Sequence, residues 1–296
     1  MTNLEPIVFS IIVPTYARAE KLTACLQSFT KLEYCRNRCE VIVVNDSTEI
    51  CVKTTIAPFQ KQLNLILISQ PNSGPATARN TGAFVAKGKF LVFTDDDCTV
   101  APDWLQTLEI QFKKTPDCLI GDRTINAVPN NIYSTASQEL INYLYSYYNA
   151  IDNRAKFFTS NNFALPTNSF QKIGGFDTSF FLAAGEDREF CDRWLHLGYS
   201  AVYASEIIVY HSHELTLYKF WKQQFNYGRG AFLFQQITAK REDKKLQNFT
   251  FYLNLLTYPF FQFSNVQKLF IGGLFLVSQV AIVTGLFWEK NRKFKF

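Results

Sequence analysis

Three consecutive aspartates, Asp95-Asp96-Asp97, follow the apolar run KFLVFT at residues 89–94. Adjacent carboxylates repel one another unless a cation or ligand hydroxyls share the site. One Asp after a strand is commonly a solvated turn or a helix cap. Three of them, with Pro102 and Trp104 opening a further helix, point to a ligand or a hard cation. A second acidic pair, Glu186-Asp187, follows Gly185 where a helix should begin. The pair either complements the helix macrodipole or places a general base at the mouth of a site. His211 and His213 close a β-rich run at residues 201–210. A histidine at a strand end is a candidate metal ligand in a chain with an acidic triplet. The sequence does not choose between the two.

Regular elements must position these groups. Residues 7–13, IVFSIIV, are β-branched and predict a strand that Pro14 and Thr15 end. Leu22, Cys25, Leu26 and Phe29 recur at i, i+3, i+4 and i+7, which predicts a helix over residues 17–30. Residues 40–45 predict a second strand, stopped at Asp46-Ser47, and residues 63–69 a third. Asn72-Ser73-Gly74-Pro75 is turn chemistry. A short helix over 76–87 is expected to stop with Gly88 in the C′ position. Residues 89–94 are the next strand. This alternation predicts an α/β chain with parallel βαβ units. Ligands of such sheets bind beyond the carboxyl ends of the strands. Asp46 and Asp95 to Asp97 should therefore face one crevice. Further on, helices are expected over 103–114 and 137–150, with a strand over 118–124. Residues 157–177 read as loop-rich. The helix after Asp187 should bury Phe190, Trp194 and Leu197. No GxGxxG or GxxxxGK[ST] loop occurs.

The chain has 296 residues and 47% hydrophobic content, enough for one large domain or two small ones. Its net charge of +5 is too mild to argue for nucleic acid. It would suit an anionic membrane surface or a phosphorylated substrate. The seven cysteines include no CxxC pair, which argues against a disulfide framework or zinc cluster and for a reducing compartment. No signal peptide is expected, because residues 1–6 are polar and short.

Taken in order, these pieces resemble the family-2 glycosyltransferases of GT-A fold, the Rossmann-like nucleotide-diphospho-sugar transferases. The matching segments are Ser10-Ile11-Ile12-Val13-Pro14-Thr15-Tyr16, Val44-Asn45-Asp46-Ser47, Asn72-Ser73-Gly74 with Ala78-Arg79-Asn80-Thr81-Gly82, Asp95-Asp96-Asp97, Gly174-Gly175-Phe176-Asp177 and Gly185-Glu186-Asp187. They cover roughly residues 7 to 230. The resemblance implies that Pro14, Thr15 and Arg18 line a nucleotide pocket and that Asp46 bonds the base, typically uracil. Arg79 would contact base or phosphates. Asp95, with Asp96 beside it, would contact the ribose and sugar. Asp97 would hold Mg2+ or Mn2+ on the diphosphate, with His211 completing the metal site and His213 its rival. Asp187 would be the catalytic base, and Glu186 would help hold the acceptor. Gln224 and Gly228-Arg229-Gly230 resemble a late diphosphate-contacting segment. The QxxRW motif of the processive synthases is missing, which argues against long-chain processive synthesis.

The residue types suit this chemistry independently. Charge builds on a departing diphosphate, and a divalent cation on carboxylate oxygens offsets it. One carboxylate on the opposite face takes the proton of the attacking hydroxyl. A single base and a metal-held leaving group imply one displacement with inversion. A nucleotidyltransferase would need a basic triphosphate-gripping loop near the first strand, and none is seen. From a different class, the chain could be a catalytically silent nucleotide-sugar-binding membrane scaffold. Such a binder would not need a base at Asp187.

Residues 269–287 are nearly charge-free over 19 positions. At 1.5 Å per residue they span about 28 Å, close to a bilayer core. Residues 249–263 form a shorter apolar run containing Pro259. The expected organisation is a GT-A domain over 1–240 and a membrane-associated segment over 241–296. The catalytic part should face the cytoplasm. A single span would then export Lys290, Arg292, Lys293 and Lys295, against the positive-inside rule. A helical hairpin, or an interfacial first run before a re-entrant second, avoids this. Membrane lipids and a glycan or lipid-linked acceptor are the expected partners beside the nucleotide-sugar donor.

Overall fold

The computed structural model describes residues 6–49, 51–149, 155–239, 241, 248–264 and 266–293. In chain order these form β1 (Phe9–Thr15), α1 (Ala19–Phe29), β2 (Cys39–Asn45), α2 (Lys53–Ile56), β3 (Leu65–Ser69), α3 (Pro75–Val85), β4 (Phe90–Thr94), β5 (Cys98–Val100) and α4 (Trp104–Lys114). There follow β6 (Leu119–Asn126), α5 (Ile132–Tyr148), β7 (Asn162–Pro166), α6 (Thr167–Ile173), α7 (Glu186–His196), β8 (Ala201–His211), α8 (Leu217–Thr238), α9 (Phe249–Gln262) and α10 (Gln267–Lys293).

The strands build one mixed sheet in the order β3-β2-β1-β4-β7-β6-β8-β5. The first four are parallel, as the βαβ pattern predicts. The second half departs from it: β7 runs antiparallel to β4 and β6, and β5 antiparallel to β8. Both sheet faces are covered. Phe9, Ile11 and Val13 pack with Trp104, Leu105 and Leu108 on one side. Ile12, Leu91 and Phe93 pack with Phe163, Phe190 and Trp194 on the other. Alternate residues of one strand thus enter different cores, which is why these strands read as unbroken apolar runs.

Four local expectations are corrected. Pro14 and Thr15 continue β1 rather than ending it, opposite Val44 and Asn45. Pro14 lies beyond the last β1–β4 pair, Ile12 opposite Phe93, so its missing N–H costs the sheet little. Gly88 is not a helix stop, because α3 already ends at Val85 with Ala86 extended. Gly88 instead lets two backbones meet: a Cβ there would overlap Phe9 and Ser10, and its N–H donates to Ser10 Oγ at 2.8 Å. The loop-rich reading of 157–177 missed β7, wholly buried between β4 and β6, and α6. Leu197 is 54% exposed rather than buried, because α7 ends at His196 and left-handed Gly198 turns the chain away.

The C-terminal helices pack on this body. Phe251 and Leu255 of α9 and Ile271 and Phe275 of α10 share a cluster with Leu140 and Tyr143 of α5 and Phe220 of α8. Tyr143 donates its hydroxyl proton to the Phe251 carbonyl at 2.7 Å. α8 and α10 cross at backbone contact. A Cβ on Gly228 would overlap the Ile282 carbonyl, and one on Gly285 the Phe225 carbonyl. Small residues permit such an approach. Residues 267–292 of α10 are long and apolar enough to cross a membrane. The boundary expected between residues 240 and 241, and Lys295, fall at or beyond the described residues, as do residues 1–5.

Candidate functional site

Three strand ends and one helix start converge. β1 delivers Thr15, β2 Asp46, β4 the aspartate triplet, and α7 opens with Glu186-Asp187. Gly185 makes the last turn possible. Its φ of 92° is left-handed, and a Cβ would press against Phe180 and the Gly230 carbonyl.

The triplet divides its work. Asp95 points to Arg79, whose Nη2 lies 2.7 Å from Asp95 Oδ1. The same guanidinium reaches Glu186 Oε1 through Nη1 at 3.0 Å. Arg79 and Glu186 are both buried. Asp96 is buried, accepts from Thr15 Oγ1 at 2.7 Å, and lies 2.7 Å from Arg18 Nη2. Burial pushes its carboxyl up to about 7, with Arg18 pulling the other way. Asp97 meets Arg18 Nη1 at 2.8 Å and His211 Nε2 at 3.2 Å. Burial alone would raise the Asp97 carboxyl, but the His211 and Arg18 charges hold it well below the usual range. Burial lowers His211, and Asp97 more than reverses this, so its imidazole is raised.

His211, rather than His213, is therefore the ring beside Asp97. His213 stacks on it at 4.2 Å between centroids and faces Gln223. Burial and the His211 charge push His213 down to about 3.

A divalent cation fits between Asp97 and His211. Asp97 Oδ1 is buried, and among the described residues its near neighbour is the His211 Nε2 nitrogen at 3.2 Å. A buried carboxylate oxygen and an imidazole nitrogen this close can hold a common ion in place of the proton between them. Cys98 Sγ belongs to the same cluster, all within 4.8 Å. Burial, and then the Asp97 and Asp95 charges, raise its thiol well above the ordinary value. A carboxylate with an imidazole suits Mn2+ at least as well as Mg2+.

Asp187 and Glu186 line a cavity of about 1080 Å³ together with Arg79, Asp95, His211 and Tyr227. Burial raises Glu186 to about 7, helped by the Asp187 charge and opposed by Arg79. Burial also raises Asp187, against its 2.7 Å bond from the Arg188 backbone N–H. A carboxylate so raised is a stronger base than one in water.

Two expected residues, Asp46 and Arg229, have partners within the protein. Asp46 is buried at the end of β2, and both its oxygens are engaged. Oδ1 accepts from Gln70 Nε2 at 2.8 Å and Ser73 N at 3.0 Å, and Oδ2 from Gly74 N at 2.9 Å. It therefore fastens the 72–74 turn. Arg229 turns away from the cavity to Glu289 of α10, 2.7 Å from Nε. Its flanking glycines serve packing: Gly230 lies against the Ala184 carbonyl and Gly228 against Ile282. Pro14 sits within β1, beside Thr15. Gln224 does line the cavity.

Sequence reasoning missed Arg188, Gln223 and Tyr227. Arg188 follows the acidic pair directly, which was the available signal. Its setting was not legible: the guanidinium lies 4.7 Å from the Phe234 ring centroid and donates to the Tyr148 hydroxyl at 3.1 Å.

The profile of Glycosyl transferase family 2 matches residues 10–174, more than half of the chain. The chain belongs to this family. A second profile, described as the N-terminal domain of galactosyltransferase, matches residues 143–215. Among relatives of this family-2 glycosyltransferase, glycosyltransferase AglE of Haloferax volcanii is 27% identical over 246 residues, 81% of this chain and 79% of AglE. The probable glycosyltransferase YdaM of Bacillus subtilis is 25% identical over 288 residues, 90% of this chain and 66% of YdaM. Mannosyltransferase PcManGT from Pyrobaculum calidifontis, solved with GDP-Man and Mn2+, superposes with a TM-score of 0.68 at 17% identity, covering 97% of this chain and 90% of that one. Residues 1–349 of S. aureus TarS, solved with UDP-GlcNAc, give 0.56 at 17% identity, covering 97% and 92%. At such identities these structures establish the shared GT-A fold.

Proposed function

We propose that this family-2 enzyme transfers a sugar from a nucleoside diphosphate sugar to an acceptor hydroxyl, with inversion and with the help of Mg2+ or Mn2+. The observation that carries this reading is the Arg79 bridge. It joins Asp95, on the donor side, to Glu186, beside the base candidate, in one buried ion cluster.

Asp97 and His211 would hold the metal. The metal would offset charge building on the diphosphate as it departs. Thr15, Arg18 and Asp96 form the wall expected to meet the nucleotide. Arg79 fixes Asp95 for the ribose and sugar. Asp187 takes the proton from the acceptor hydroxyl as its oxygen bonds the anomeric carbon. The bond from that carbon to the donor phosphate breaks, and the nucleoside diphosphate leaves with the electron pair. Glu186, protonated part of the time near neutral pH, can donate a hydrogen bond to the acceptor. The neighbours solved with GDP-Man and with UDP-GlcNAc support a diphosphate donor, and the sequence resemblance favours UDP. The apolar α10 supports a membrane-near enzyme, for which a lipid-linked or membrane-near glycan is the acceptor; a cytoplasm-facing domain fits its use of a nucleotide donor.

The test is binding of UDP, GDP and CDP with and without Mn2+, beside Asp97→Ala. Metal-dependent binding of one nucleotide that the variant loses supports the reading. Binding of none of them overturns it.

A further inference from the structure

Two arginines line the cavity, and they differ in how their charge is met. Arg79 is paired with both Asp95 and Glu186. Arg188 has no carboxylate at its guanidinium among the described residues, and no lysine lines the cavity beside it. Aromatic rings and a hydroxyl hold it instead. The guanidinium carbon lies 4.7 Å from the Phe234 ring centroid and 5.7 Å from that of Tyr148. Its Nη2 donates to the Tyr148 hydroxyl at 3.1 Å. Nor does Arg188 serve the base, because the cation that acts on Asp187 is Arg79. A guanidinium held by its faces keeps the N–H groups of its edge for an anion.

The place of Arg188 ties this anion to the acceptor. Asp187 and Arg188 are consecutive in the first turn of α7, and consecutive helix residues diverge by about 100°. One ligand that reaches both must offer them different groups, a hydroxyl to the base and an anion to the guanidinium. Neutral polar groups for further hydroxyls stand nearby. The Ser160 backbone bonds the Asp187 carboxylate. The next residue, Asn161, is buried and lines the cavity. Its Oδ1 accepts from Thr159 Oγ1 at 2.7 Å, and among the described residues its Nδ2 has no partner. Gln224 and Tyr227 line the same space.

We propose that the acceptor is an acidic saccharide: Arg188 binds the carboxylate of a uronic acid residue while a hydroxyl of the same sugar ring meets Asp187. This rests on the glycosyltransferase reading, which gives Asp187 that hydroxyl. A carboxylate matches one guanidinium in both charge and shape. A phosphate monoester carries about −1.5 to −2 charges at pH 7, more than Arg188 alone offsets. A neutral sugar would leave the half-buried guanidinium with no counter-charge. Arg188 is then the residue that sets acceptor specificity, and Asn161 binds the ring without reading its charge.

The test is saccharide binding to the full chain in phosphatidylcholine nanodiscs, with and without Mn2+ and UDP, read by saturation-transfer NMR titration. The probes are the methyl glycosides of glucuronate, galacturonate and mannuronate, each beside its neutral amide and its parent hexoside. At least one uronate should bind at least tenfold more tightly than its amide and its hexoside. Arg188→Gln should abolish that preference, and Arg188→Lys should keep part of it. Asn161→Ala should weaken uronate and amide alike. Binding of none of the three uronates, or equal binding of uronate and amide, overturns the proposal. A preference that survives Arg188→Gln overturns the role of Arg188. Tighter binding of glucose 6-phosphate than of any uronate overturns the carboxylate. Nucleotide binding on the same samples reports that each variant is folded and separates the two readings: no uronate preference with intact Mn2+-dependent binding refutes only the acidic acceptor, and the converse refutes only the donor site.

Discussion

Asp95 and Glu186 share one guanidinium: Arg79 Nη2 lies 2.7 Å from Asp95 Oδ1, and Nη1 lies 3.0 Å from Glu186 Oε1. The two carboxylates come from the end of β4 and from the start of α7, 91 positions apart in number (186 minus 95). Removing the cation leaves two carboxylates facing each other. Arg79→Met should cost about 3–5 kcal/mol of stability, the usual penalty for orphaning a buried ion pair. Arg79→Lys should rescue only part of it, because an ammonium lacks the planar fork. Denaturant titration of the three proteins checks both statements.

Asp187→Asn should lower the transfer rate about 10²–10⁴-fold, the usual contribution of a general base, while donor affinity stays unchanged. Full turnover in this variant would remove Asp187 from the mechanism. Because burial raises the Asp187 carboxyl, the acid limb of the wild-type rate profile should lie above the ordinary carboxylate range near 4.

Chelation with EDTA should abolish transfer, and Mn2+ should restore it. Asp97→Asn should raise the Mn2+ concentration needed for half-maximal activity by at least tenfold. His211→Ala should do the same, whereas His213→Ala should move it little, since only the His211 ring meets Asp97. A metal titration of each variant's activity distinguishes these outcomes.

Asp122 is buried in β6, and among the described residues neither carboxylate oxygen has a hydrogen-bond partner. Burial, and then the Glu206 charge, raises its carboxyl well above the ordinary value. The folded chain therefore binds this proton more tightly than the unfolded chain. That stability is fully present below the unfolded value near 4 and is lost as pH rises toward the folded value. Asp122→Asn should match wild type in melting temperature at pH 4 and exceed it at pH 8. Thermal melts across that range show whether the gap opens as stated.

Gly285→Val should strain the α8–α10 crossing, because its side chain would overlap the Phe225 carbonyl. Overpacking of this kind costs about 1–3 kcal/mol. On the same helix, a Cβ added to Gly273 would meet no atom of another element within 4 Å among the described residues, so Gly273→Ala should be neutral or slightly stabilising. Comparing the melting temperatures of the two variants tests whether α10 is docked as described.

Much of this molecule was legible in the residue order. Strand runs such as EVIVVN are apolar throughout because both sheet faces are covered, and parallel connection follows from the intervening helices. The carboxylates had to lie at strand ends, since Asp95 to Asp97 and Asp46 directly follow their runs. The family itself followed from short segments in order. What remained hidden depends on contacts between distant positions. Periodicity cannot report that β7 inserts antiparallel between β4 and β6, because its five residues, bounded by Asn162 and Pro166, read as loop and pair with β4 positions as far as 76 residues away (166 minus 90). Nor can spacing reveal that Arg229 spends its charge on Glu289, or that Asp46 spends both oxygens on the 72–74 turn. A residue's type limits the chemistry it can do, and that much is local. Which partner satisfies it is decided only when the packed chain brings one buried charge to hydrogen-bond distance of another.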